Sequence, residues 1–418
     1  LGDREEQINK IVILGAGTGG TAVANKLRKA LPRDKWDITV IDRDDNHVYQ
    51  PGLLFVPFGI CTVESIIKSR KKYISGGIHF VIDPITRVNH EKNRVETRGG
   101  RFDYDWLIIG TGCRLAPEEN EGLMDEWGKN AFSFYTAETA ESLRHAIAGF
   151  KGGKLLMSVA EIPFKCPVAP IEFIFLADWY FRQKGMRDRV KLQLATPFPQ
   201  CMPNWPKGRV VMLDAARKKD IAISTGFALQ EVNREGKYIQ SFSGEKIDYD
   251  LLVIVPTNRG DEVISESGLD DGSTYVPTDK HTLKALNHKN IYVIGDATNI
   301  PTSKAGSVAH YEAEVITHNL LSEIKGKEPE PVYDGHSTCF IVSEKGKSYL
   351  VDFNYNTEPL FGKYPLPLIG PFSLLKETRM NWRGKLGFEW VYWNILLPGK
   401  STMLPPTMTM AGKKREPD

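Results

Sequence analysis

Residues 10–42 run in a series that few backbones satisfy: apolar strand, glycine turn, helix, second strand, acid. Residues 11–14 are Ile-Val-Ile-Leu and lead into Gly15-Ala-Gly17-Thr-Gly19-Gly20. Residues 21–30 carry a helical pattern, and 36–42 form a second apolar strand that closes on Asp42. Each small residue has a distinct task in such a unit. Gly15 lets the chain turn tightly, and Gly17 lets the backbone approach a pyrophosphate at the positive end of the helix. Gly20 permits close helix–strand contact, and Asp42 can accept hydrogen bonds from ribose hydroxyls. The series predicts a dinucleotide-binding α/β unit.

A second strand-and-turn device recurs further along. Residues 101–109 (Arg-Phe-Asp-Tyr-Asp-Trp-Leu-Ile-Ile) share a polar lead-in, an Asp-Tyr-Asp triplet and an apolar run with residues 246–254 (Lys-Ile-Asp-Tyr-Asp-Leu-Leu-Val-Ile). The first copy ends at Gly110-Thr111-Gly112 and the second at Pro256-Thr257. Two copies suggest two related α/β domains, and 418 residues are too many for one ordinary core. A third landmark, residues 290–296, is an apolar strand delivering Gly295 and Asp296 to its carboxyl end, where open α/β sheets bind ligands. A helix follows from about residue 304.

Composition narrows the partners. A formal net charge of +2 gives no reason to expect nucleic acid. The basic runs 68–72 and 413–415 read as solvated surface. No stretch approaches the roughly 20 apolar residues needed to span a bilayer. Residues 1–10 are polar and leave no room for a signal peptide before the first strand; the absence of an initial Met fits a processed or trimmed start. The five cysteines, Cys61, Cys113, Cys166, Cys201 and Cys339, are too few and scattered for a disulfide scaffold, and none has zinc spacing, so no metal is expected. Any role they have rests on reactivity.

Together these landmarks resemble the two-dinucleotide-domain flavoproteins, which include disulfide reductases, type II NADH dehydrogenases and sulfide:quinone oxidoreductases. The resemblance covers nearly the whole chain. It implies FAD held by Gly15, Gly17, Gly20 and Asp42 at the adenosine half. Gly110, Thr111 and Gly112 would border the cofactor, with Gly295 and Asp296 at the ribityl-phosphate region. The implied fold is α/β: two Rossmann-like dinucleotide-binding domains plus a C-terminal amphipathic membrane-associating region. The implied boundaries are 1–115 with 256–330 for FAD, 116–255 for a second domain with a degenerate nicotinamide site, and 331–418 for a quinone and membrane-interface region.

Relatives that use NAD(P)H carry a second glycine fingerprint after the strand at 154–160. Here that turn, residues 161–172, has no glycine and three prolines, Pro163, Pro167 and Pro170. Such a turn cannot close on a pyrophosphate. The sequence is most similar to the sulfide:quinone oxidoreductases, which place redox cysteines where Cys166 and Cys339 stand. Glu172 matches an acid of many members, and Lys304 falls at the helix start directed at the flavin. Many bacterial members have a third cysteine where this chain has Tyr135; Cys113 and Cys201 are spatial candidates to replace it, and Cys61 reads as structural.

From residue 359 the composition shifts to proline, aromatic and long aliphatic residues. Leu386, Trp390, Trp393 and Leu397 fall at helical spacing near Lys376, Arg379, Arg383 and Lys385, a pattern suited to a membrane-interface helix. The resemblance therefore implies a peripheral membrane enzyme of the bacterial cytoplasmic or mitochondrial inner membrane. In the implied chemistry, hydrosulfide attacks a Cys166–Cys339 bond, Lys165 and Lys304 supply positive field, and Glu172 moves protons. Electrons then leave through FAD to ubiquinone or menaquinone at Phe340, Tyr392 and Trp393, and a small acceptor removes the sulfur. Two alternatives are a type II NADH:quinone oxidoreductase and an inactive flavin-binding interaction protein. Oligomeric state is open, a homo-oligomer included.

Overall fold

The computed structural model describes residues 8–203, 205–367, 369–402 and 404–415. Residues 1–7, 204, 368, 403 and 416–418, part of the stretches considered above, lie outside them.

The first sheet gathers strands from both ends of the sequence. β1 (Asn9–Leu14) is followed by helix α1 (Thr18–Ala30), β2 (Trp36–Asp42), β3 (His79–Ile82) and β4 (Trp106–Ile109). The chain then builds a second sheet from β5 (Ala131–Phe132), β6 (Gly153–Val159), β7 (Val190–Thr196), β8 (Ile221–Thr225) and β9 (Leu251–Val255). Helices α2 (Ala137–Gly149) and α3 (Ala169–Gln183) flank β6 in sequence. It returns to the first sheet with β10 (Ile291–Val293) and α4 (Gly306–Ile324). The strand orders are β10-β4-β1-β2-β3 and β5-β9-β6-β7-β8, with every neighbouring pair parallel.

Strands buried on both faces explain the continuous apolar runs. Ile11, Ile13, Val40 and Ile108 are fully buried beneath α1 and α4. Burying one such side chain contributes roughly 1.5–3 kcal/mol. The Asp-Tyr-Asp echo is structural as well. Asp105 accepts from Lys10 N at 2.7 Å and its own N–H reaches Lys10 O at 2.9 Å; Asp250 treats Lys154 identically, at 2.8 and 2.9 Å. Tyr104 and Tyr249 are buried beside them. In both sheets the triplet locks the incoming strand to its neighbour.

The remaining chain forms antiparallel pairs: β11 (Ser337–Glu344) with β12 (Lys347–Phe353), and β13 (Phe361–Leu366) with β14 (Gly370–Leu374). Helix α5 (Arg379–Val391) starts at Thr378, whose hydroxyl accepts from Asn381 N at 3.0 Å. A π-turn, Tyr392–Leu396, then underwinds the path. That turn corrects the expected amphipathic stripe. Leu386 and Trp390 are exposed, but Trp393 and Leu397 rotate inward and are buried. No described helix is long and apolar enough to cross a membrane.

The basic runs are also less solvated than their composition suggested. Arg70 forms an ion pair with Asp42, and the Lys413 side chain is 1% exposed, paired with the buried Asp352 at 2.8 Å.

Candidate active site

The carboxyl ends of the first sheet converge because the parallel register brings Leu14, Ile41 and Ile109 level. Gly15 N donates to Ile41 O, Gly110 N to Leu14 O, and Ile294 N to Ile109 O, at 2.8–2.9 Å. A side chain on Gly20 would collide with the carbonyl of Gly15, and one on Gly15 (φ +90°) with that of Gly110. Gly17 and Gly112, by contrast, face open space. α1 has no acidic residue in its first turn and carries Arg28 and Lys29 in its last, so its positive end is uncompensated. Thr111 Oγ1 is buried without a partner. An open cradle, a helix N-terminus and an orphaned hydroxyl fit the pyrophosphate and ribityl chain of FAD.

Asp42 stands at the edge of this cradle, already engaged. Its carboxylate accepts from Ala16 N at 2.6 Å and Arg43 N at 2.7 Å, and Arg70 neutralises it. Arg70 is a site residue that the basic run concealed. Gly295 N donates to Glu312 at 2.6 Å, and burial pushes the Glu312 carboxyl up to about 7.

Cys166 lies in the glycine-free turn before α3, with φ +48°, a left-handed conformation costing a non-glycine residue about 1–2 kcal/mol. Such strain clusters at functional sites. Its N–H donates to Lys304 O at 2.8 Å, Lys165 N reaches Asn258 at 3.2 Å and Ala169 N reaches Cys166 O at 2.9 Å. The amides at this turn are therefore committed within the protein rather than turned toward a second pyrophosphate.

β11 packs against α3 and supplies Cys339. Glu172 of α3, 1% exposed, accepts from Val342 N of β11 at 2.9 Å and pairs with Lys385 of α5 at 3.3 Å. Burial pushes the Cys166 thiol up, as do the charges of Glu172 and Cys339, while Lys385 opposes them. Burial likewise raises Cys339, against Ser337 and Lys385. Burial raises Glu172 against the pull of Lys385. Burial also works to lower the Lys385 ammonium, but Glu172, Cys166 and Cys339 hold it above its ordinary range. Two partly buried thiols, one buried carboxyl and one ammonium thus share one electrostatic site.

The expected source of positive field was misplaced. Lys304 Nζ donates to Asp296 O at 2.9 Å and Thr298 O at 2.7 Å. Its charge, with that of Lys165, lowers Cys113, which burial and Asp296 nonetheless push up to about 12. Lys385, read from the sequence only as one of several cations near a surface helix, acts on the Cys166 and Cys339 thiols instead. Its position fourteen residues after Pro371 gave no signal; only packing of α5 on β11 and β12 brings it to Glu172 of α3.

Tyr135 fills the place of the third thiol, its hydroxyl 3.4 Å from Cys166 O. Cys113 instead sits 3.8 Å from Asp296 and 3.9 Å from Asn258. Cys201 is buried in a loop, its thiol pushed up to about 11 by burial. Cys61 is half-buried beside Gly52 O. The proposed quinone lining separates too. Phe340 is half-exposed, with its ring 5.7 Å from Phe372. Tyr392 is sealed, its hydroxyl 2.8 Å from Thr18 and 2.6 Å from His47, and Trp393 is 3% exposed. The π-turn packs Tyr392 and Trp393 against α1 and residues 47–73, so little of either ring is exposed.

Beside the turn lies a cavity of about 1050 Å³, walled by Phe164, Pro167, Trp205, Tyr275, Lys304 and Tyr355. Phe164 and Pro167, which bracket Cys166 in sequence, form part of its wall.

This fold and site define a two-dinucleotide-domain flavoprotein oxidoreductase. The family model for pyridine nucleotide-disulphide oxidoreductases matches residues 9–151. The mitochondrial sulfide:quinone oxidoreductase of Dictyostelium discoideum is 30% identical, with 98% of this chain and 92% of that protein covered. The mouse (Mus musculus) mitochondrial sulfide:quinone oxidoreductase is 26% identical over 93% of this chain and 86% of that one. The chain belongs to the sulfide:quinone oxidoreductase family. The crystal structure of the enzyme from the hyperthermophilic bacterium Aquifex aeolicus shares the fold, with a TM-score of 0.79 at 19% identity, covering 94% of this chain and 92% of that one.

Proposed function

We propose that this protein oxidises hydrogen sulfide to sulfane sulfur at Cys166 and Cys339 and delivers the electrons to a quinone. The observation that carries the reading is the cluster of partly buried Cys166, Cys339 and Lys385 around the buried Glu172. The type II NADH:quinone oxidoreductase alternative is disfavoured by the committed amides of the Cys166 turn.

In the oxidised enzyme the two cysteines form a disulfide. Hydrosulfide attacks one sulfur, giving a persulfide on that cysteine and a thiolate on the other. Lys385 stabilises the thiolate, and Glu172, held between Val342 N and Lys385, takes and returns the proton. A small nucleophile entering by the large cavity then removes the outer sulfur and leaves a thiol–thiolate pair. Loss of two electrons and one proton re-forms the disulfide. FAD in the cradle of Gly15, Gly17, Gly20, Gly110, Thr111, Gly112, Gly295 and Asp296 supplies the two-electron acceptor.

The domain reading places FAD on residues 1–115 and 256–330, with residues 116–255 as a second Rossmann-like domain, and the two sheets support it. The C-terminal region meets the membrane through exposed Leu366, Ile369, Leu386 and Trp390, and quinone approaches on the Phe340 side. Relatives described as mitochondrial support a place on the mitochondrial inner membrane. An anaerobic absorbance titration tests the reading. Sulfide should bleach the flavin, NADH should not, and a short-chain quinone should restore the colour. Cys166→Ser and Cys339→Ser should keep the yellow colour and lose sulfide bleaching. Bleaching by NADH alone, or by sulfide in both variants, would overturn the assignment.

A further inference from the structure

A smaller pocket of about 280 Å³ lies where the end of α5 meets the loop after residue 70, walled by Lys72, Tyr73, Ser75, Trp393, Asn394 and Lys400. Its charge is one-sided. Lys72 and Lys400 are exposed and make no ion pair among the described residues. Lys68 Nζ lies 4.3 Å from the centre of the Trp393 ring, and Lys29 is tied to Pro398 O and Gly399 O at 2.6 and 2.9 Å. No acidic residue lines the pocket.

Its walls are fixed in place. Asn25, fully buried, donates to both Tyr73 O and Leu397 O at 2.6 Å and accepts from Ser75 N at 2.8 Å, stapling the two walls together. Trp393 adds an unmet demand. Its indole N–H is buried with no acceptor, and an indole nitrogen only donates. The pocket also continues an apolar ridge. Leu386, Trp390 and Asn394 follow at four-residue intervals, and Asn394 Nδ2 donates to Trp390 O at 2.9 Å. Exposed hydrocarbon thus runs directly into a cationic cup.

We propose that this pocket seats the phosphate of an anionic phospholipid whose chains lie along Leu386 and Trp390. The proposal deepens the membrane reading above and rests on it. A free anion would satisfy the lysines and leave the ridge without purpose; a lipid uses both.

The test is flotation of the full-length, FAD-loaded protein with vesicles of phosphatidylcholine alone or with added phosphatidylglycerol. Wild type should prefer the anionic vesicles, and added salt should shrink the preference. Lys72→Gln and Lys400→Gln should each weaken binding to anionic vesicles roughly fivefold, and about 25-fold together, leaving neutral vesicles unaffected. The same charge loss at exposed Lys191 and Lys218, outside the pocket, should change nothing. Equal wild-type binding to both vesicles overturns the pocket and leaves the ridge standing. So does equal loss from the Lys191 and Lys218 changes. Flotation with neither vesicle overturns both readings.

Discussion

Replacing Lys385 by Met should uncover the electrostatics that hold the site together. Lys385 and Glu172 are 3.3 Å apart, with side chains 11% and 1% exposed. At an effective dielectric near 20, charges about that far apart attract by about 5 kcal/mol. Removing the cation cannot forfeit all of this, because Glu172 can take a proton instead. From an ordinary carboxyl pKa of about 4.5, that protonation costs about 3.4 kcal/mol at pH 7 and about 0.7 kcal/mol at pH 5. The variant should therefore lose up to about 3 kcal/mol at pH 7, and most of the loss should vanish at pH 5. Glu172→Gln in the same chain should restore much of the stability, since no buried charge is then unpaired. Urea denaturation of the four proteins at both pH values gives the coupling energy. Alkylation of Cys166 and Cys339 against pH is the second readout, and Lys385→Met should move both profiles upward. A variant as stable as wild type at pH 7, or a loss independent of pH, would refute the reasoning.

Glu312 gives a pH dependence of the same sign. Its carboxyl, raised to about 7, keeps its proton in the native state after the unfolded chain has released it near 4.5. About 3 kcal/mol of stability present below pH 4.5 is lost as pH climbs toward 7, and Glu312→Gln should flatten that slope in denaturation midpoints. His47 and His310, lowered by burial to about 4, act oppositely. Each contributes up to about 3 kcal/mol that is complete above pH 6.5 and drains as pH falls toward 4, a loss that His47→Asn should reduce in acid titration followed by circular dichroism. Gly20→Ala should drive α1 away from Gly15 and lower the FAD content of the purified protein, read as the ratio of flavin to protein absorbance; full flavin content would refute the cradle.

The first strand–turn–helix unit was legible from local sequence because its constraint is local. Gly15 and Gly20 are glycines because backbone carbonyls occupy the space their side chains would need, and the Asp-Tyr-Asp triplets mark strands that the same hydrogen bonds tie down. The lack of glycine after β6 was equally readable, since only glycine allows that approach. Residues distant along the chain were not. Whether Lys304 or Lys385 faces the thiols depends on how α5 packs on β11 and β12, and spacing carries no record of that packing. The stripe Leu386–Trp390–Trp393–Leu397 assumed a regular helix, and one π-turn sent half of it into the core. Arg70 and Lys413 had the composition of surface and became partners of a half-buried Asp42 and a buried Asp352. Sequence alone determined what each short segment can adopt, because steric exclusion acts between neighbours. Tertiary structure decided which charges meet, because burial and Coulomb attraction depend on distance through space.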